Sequence, residues 1–265
     1  MVLPVQEKTE MNHTVWSSMV QACTGTPFFL AVAGLFLACM IGGFTPVWSA
    51  LETYKKGLLD YGLHYTVFDT AMRSEAVCLV LPICCTFPFA ASFLEEFTCG
   101  FIKSYLARVG RRSYVVGKIL ATGASGGSAA VLSMVLYYQG LRLLLLPMEK
   151  AAGEMSQTYG KDVGKACVLF FCAGALFALV GMLCSIVTSS RYMAYAFPFV
   201  LEYVLIMLHE RYLKQLFILD PKAWLHPVKE QWGFGEFGAV IFMILLVCMV
   251  AMLLTMVMLR RLETI

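Results

Sequence analysis

Six apolar stretches run through this chain, at about 28–51, 76–94, 119–141, 166–190, 192–208 and 237–259. No other feature restricts the fold as much. A helix needs ~20 apolar residues to cross the hydrocarbon core, and in lipid a spanning segment must satisfy its own backbone polar groups. The pattern predicts an all-α membrane protein, a single domain over residues 1–265 with six transmembrane helices. The fifth stretch is the weakest, being short, carrying Pro198 and holding Glu202 in its interior. Composition agrees, with only 14% of residues charged against ~25% in an ordinary soluble domain. The mean hydropathy of +0.76 leaves too little polar surface for a water-soluble globule.

A net charge of +3 is too small to suggest nucleic acid, and its clustering points to topology instead. Between the second and third stretches stand Lys103, Arg108, Arg111, Arg112 and Lys118 against Glu95 and Glu96. Arg191 follows the fourth stretch, and Arg260 and Arg261 follow the sixth. The loops on the other side hold more basic residues in total, but spread thinly and mixed with acids. Density of charge therefore places both termini in the cytoplasm of a multi-pass protein of the cell membrane. The polar N-terminus has no basic start running into a short apolar core, so no cleavable signal peptide is expected. Of ten cysteines, eight lie inside apolar runs, where a thiol acts as a small hydrophobe. No CxxC pair and no Cys/His cluster with metal spacing occurs.

The charged interruption at 95–118 reads EEFTCGFIKSYLARVGRRSYVVGK. As a helix over about 95–112, it places Phe97, Phe101, Tyr105 and Val109 on one face, with Ile102 and Leu106 beside them. Acids begin it and bases end it, as the helix dipole favours. From the residues alone two readings stay open. One is an interfacial helix held by anionic membrane lipid. The other is a docking surface for a cytosolic partner. A second apolar loop, FILDPKAWLHP within 209–236, suits either a short interfacial helix or an ordinary structured loop, with Tyr212 and Trp224 as its aromatic residues.

The order of features in this interruption resembles the permease subunits of type-2 ABC exporters. The matching residues are Glu96 and Gly100, then Tyr105 and Leu106, then Arg112, then Val115, Val116, Gly117 and Lys118. Span number and loop sizes fit over residues 25–260. The resemblance implies a coupling helix that docks on a separate ATPase subunit. It implies a second permease copy or a sister permease across the route, with ATP and Mg bound by the partner. Glu96, Phe97, Gly100, Phe101, Tyr105, Arg108, Arg112 and Lys118 are the expected coupling residues. An amphipathic cargo, such as a peptide, drug or lipid-like molecule, is expected, antimicrobial-peptide export first among these. An anchor or sensor that recruits a cytosolic partner through the same helix stands as the alternative.

The chain itself offers no nucleotide site. A phosphate-cradling loop needs GxxxxGK followed by Ser or Thr, and Gly110 to Lys118 is too long and is followed by Ile119. Gly123-Ala124-Ser125-Gly126 spells GxSG, the nucleophile motif of intramembrane serine proteases, yet no histidine stands in a suitable span position. Gly123 and Gly127 read instead as small residues for close helix packing. Glu95-Glu96 lacks the downstream arginine and the histidines that an intramembrane metalloprotease needs. No catalytic residue and no metal ligand is expected. Glu202 is the one acid inside a span, and such residues mark pathways or interfaces.

Overall fold

The computed structural model describes residues 16–54, 62–102, 106, 109–149, 156–227, 232 and 236–263. About 89% of it is helical, with no strands. A helical segment, 16–24, precedes α1 (Thr26–Tyr54), α2 (Leu63–Met72), α3 (Glu75–Thr86), α4 (Ser92–Thr98) and α5 (Arg111–Leu145). Then come α6 (Ser156–Thr188), α7 (Arg191–Arg211), α8 (Pro221–Leu225) and α9 (Glu236–Glu263). Five helices are long and apolar enough to cross a membrane: α1, α5 with its 3₁₀ extension to Met148, α6 from Gly160, α7, and α9 from Phe237. The chain is a multi-pass membrane protein.

The second expected span, 76–94, is not one continuous helix. Ser74 caps α3 by accepting from the Val77 amide at 3.4 Å, and Glu75 supplies an acid in the first turn. After 12 residues the ladder stops at Thr86. Pro88 explains the break, because it has no N–H and its ring crowds the carbonyl four residues back. Around it the Phe87 amide bonds Cys84 at 3.2 Å and the Ser92 amide bonds Phe89 at 3.1 Å, both tightened i→i−3 contacts. The chain then resumes as α4. The fifth span, the weakest in sequence, forms a full 21-residue helix despite Pro198.

Helix α6 lies at the centre, packed against α3, α5, α7 and α9. From Ala166 onward it is apolar on all sides, as a helix surrounded by others must be. It approaches α5 closely at Gly174, where an added Cβ would sit 2.7 Å from the Gly126 carbonyl oxygen. An added Cβ on Gly126 would meet Ala178 at 2.6 Å and the Cys85 carbonyl at 2.8 Å. Glycine is therefore required on both sides of this crossing. Of the two expected packing glycines, Gly127 is equally crowded, with Phe171 at 2.7 Å, whereas Gly123 has ordinary clearance of 3.8 Å.

Contacts fix which helix ends lie together. Arg191 at the start of α7 reaches Glu95 in α4 at 3.3 Å, and Arg261 near the end of α9 donates to the Ile186 carbonyl at 3.1 Å. At the opposite end Glu149, just beyond α5, bonds the start of α2. There Lys222 of α8 lies 3.7 Å from Glu210 at the end of α7. These two ends are termed the Glu96 end and the Glu149 end.

Candidate functional site at the Glu96 end

Arg111 opens α5, so Lys118 lies two turns inside that helix rather than at its mouth. Its side chain is only 4% exposed. A buried ammonium needs a counter-charge, and Glu96 supplies one at 2.5 Å. The other Glu96 oxygen accepts from the Tyr114 hydroxyl at 2.6 Å. Tyr114 and Lys118 are four residues apart, so one face of α5 presents both donors to one carboxylate. Glu96 also lies beside the first turns of α5, where the helix dipole favours a negative charge. The Lys118 ammonium sits 4.3 Å from the centre of the Phe89 ring, a cation–π contact from the turn that Pro88 creates. Three elements thus meet at one buried cation.

An outer, weaker link lies beside it. Arg191 and Glu95 pair at 3.3 Å with side chains 56% and 49% exposed, which connects α4 to α7. Exposed pairs of this kind are worth about 0.2–1 kcal/mol, whereas removing one partner of a buried pair costs about 3–5 kcal/mol. The Lys118–Glu96 link is therefore the one that holds α4 to α5.

The expected coupling residues divide into four groups. Glu96 and Lys118 are brought together. Phe97 packs half-buried against Phe93, ring centres 6.1 Å apart, while Gly100, Phe101 and Arg112 are exposed. Tyr105 and Arg108, like Lys103, lie outside the described residues. The stretch 95–112 is not one continuous helix: α4 ends at Thr98, and Gly100 and Gly110 take φ of +72° and +80°. Phe101, Ile102, Leu106 and Val109 between them are helical, with Ile102 buried and Leu106 half-buried. The expected stripe is thus divided at Gly100, because a left-handed residue ends a right-handed helix. Phe97 belongs to α4, and Phe101 lies beyond the break.

Glu202 stands on the buried face of α7 with Ala194, Pro198 and Ile206. It is 1% exposed, and neither carboxylate oxygen has a hydrogen-bond partner among the described residues. It thus points into the chain's own interior. Ser125 of the GxSG motif donates to the Thr122 carbonyl at 3.1 Å and is buried at 1% exposure. That is the backbone bond of a packed helix. Among the described residues no group of three or more metal-ligating side chains is found.

Sequence reasoning singled out Glu96 and Lys118 but missed Tyr114 and Phe89. The signal for Tyr114 was its position four residues before Lys118. Nothing local announces Phe89, whose contact depends on the turn at Pro88. No protein-family model matches the chain, and no similar characterised protein or solved structure is found.

Proposed function

We propose that this chain is the membrane-spanning permease subunit of an ATP-driven exporter. The observation that carries the reading is the buried Lys118, which joins α5 to Glu96 at the edge of the interrupted charged segment. A force applied to that segment from the cytosol would reach α5 through this pair. On this reading α3, the turn at Pro88 and α4 together make a sixth, broken crossing. Residues 101–109 form the coupling element, and both termini face the cytoplasm of the cell membrane. A separate ATPase subunit would bind ATP and Mg and dock against Phe101 and Arg112. A second copy or sister permease would complete the route for an amphipathic cargo.

Two measurements test this. Cys99 is exposed at the end of α4. A membrane-impermeant maleimide should reach it only after the cells are opened, and labelling in intact cells would defeat the proposed orientation. Affinity purification of the chain should also bring down an ATPase at equal stoichiometry. Charge reversal at Arg108 and Arg112 should then uncouple hydrolysis from export while insertion is retained. Normal export by that double variant would remove the coupling assignment, and absence of any ATPase would favour the anchor.

A further inference from the structure

The opposite end of the molecule carries a cavity of about 590 Å³, within the size range of small-molecule sites. It lies between α2, the first turns of α6, the loop after α8 and the start of α9. The apolar runs of α6 and α9 begin at Gly160 and Phe237, so the cavity straddles the level where membrane gives way to water. One wall is charged. Tyr65, Asp69 and Arg73 succeed one another at four-residue steps along α2, and Asp162 and Lys165 face them from α6. The lining also includes apolar side chains, among them Leu169, Phe237 and Val240.

The charges cancel, with two acids and two bases. Asp69 pairs with Arg73 at 2.8 Å and Asp162 with Lys165 at 3.1 Å, each within its own helix. All four side chains are more than a third exposed, and short-range pairs of that kind are weak. A ligand carrying both signs can therefore replace each internal pairing with one of its own at little loss. Tyr65 lines the same cavity as both carboxylates, and burial first, then Asp162 and Asp69, raise its hydroxyl above the ordinary value, with Arg73 and Lys165 acting the other way. That arrangement suits an ammonium group. Arg73 offers a planar fork and Lys165 a point charge, the two usual partners of phosphate. A ligand with net charge of either sign would leave one pair of like-charged groups unmatched.

From this geometry we infer that the cavity binds the headgroup of a zwitterionic phospholipid. Its phosphate would lie between Arg73 and Lys165, and its ammonium among Tyr65, Asp69 and Asp162. The acyl chains would run along Phe237 and Val240. This assignment stands apart from the exporter reading, since it needs neither an ATPase nor a direction of transport.

The test is native mass spectrometry of the full chain in phospholipid-free detergent, titrated with three probes. These are short-chain phosphatidylethanolamine, short-chain phosphatidylglycerol and glycerophosphoethanolamine without acyl chains. One phosphatidylethanolamine per chain should be retained, at least tenfold more tightly than the other two. The double variant Arg73→Gln/Lys165→Gln should lose that binding at least tenfold. In contrast, Asp69→Asn/Asp162→Asn should shift the preference toward phosphatidylglycerol. All four side chains are more than a third exposed, so the folded protein should survive both changes, as circular dichroism would check. Equal retention of the two lipids, or unchanged retention in both double variants, overturns the inference. Equally tight binding of glycerophosphoethanolamine would assign the cavity to a soluble zwitterion and overturn the lipid.

Discussion

Each end of the molecule is closed by an acid, and the two do so with different kinds of bond. Glu149, 1% exposed, accepts from the backbone amides of Gly62 at 3.1 Å and His64 at 2.8 Å, and meets the His64 ring at 2.9 Å. Glu96, 22% exposed, bonds the side chains of Tyr114 and Lys118. Release of Glu149 would leave two amides at the start of α2, neither of which has an intrahelical partner, buried and unpaired. A tyrosine and a lysine can leave Glu96 by changing rotamer. The first arrangement fixes a helix in place, and the second holds one that can be released. The coupling device proposed above would belong at the second.

Glu149→Ala should have the largest effect, lowering stability by about 3–5 kcal/mol, because it strands two buried amides and a histidine. Thermal unfolding in detergent would register it, and a midpoint close to wild type would refute the static role. Lys118→Met should cost less, about 1–3 kcal/mol and not the full figure of a wholly buried pair, since the partner left behind, Glu96, is 22% exposed and keeps Tyr114. Under the proposed exporter function it should nevertheless abolish coupling of ATPase activity to export, and a coupled Lys118→Met variant would remove the distinction between the ends.

A third effect is confined to the Glu149 end and depends on pH. Burial first, and the Arg73 charge second, lower the His226 pKa below its ordinary value of 6.5. The unfolded chain then binds the proton more readily than the folded one. Stability should be full above that pH, fall as the solution is acidified below it, and level off once the folded imidazole is also charged. His226→Gln should flatten that part of the curve, and an unchanged curve would contradict the assignment. Smallest of all, Glu95→Gln should change stability by no more than about 1 kcal/mol, because its pair with Arg191 is exposed. A larger drop in the same unfolding measurement would show that the outer link carries more than its geometry suggests.

The long helices were legible because twenty apolar residues leave a chain few alternatives. Their ends were less so: α5 starts at Arg111, eight positions before the expected Ile119. Polar residues such as Ser113 and Lys118 read as loop in a linear sequence, yet they are buried once Glu96 and neighbouring helices cover them. The break at Pro88 was written in the sequence as a proline, but prolines 46, 82 and 198 sit inside helices without ending them. Only packing separates the two outcomes. The Glu149–His64 contact joins residues 85 apart, and no local periodicity signals such a pair. Likewise Gly126 looked no different from Gly123, though only Gly126 faces the Gly174 backbone. The breaks in the charged segment fall at Gly100 and Gly110, whose positive φ composition alone does not disclose.

Helix α5 runs unbroken for 35 residues, about 50 Å at 1.5 Å per residue, against a hydrocarbon core of about 30 Å. Tyr114 and Lys118 ride near one tip, and Glu149 comes a single 3₁₀ turn beyond the other. The rod has no proline to absorb bending, so tilting it at one membrane surface would swing the far tip the opposite way, like an oar in its lock. The grip on α2 would then be the first thing on the far side to feel the stroke.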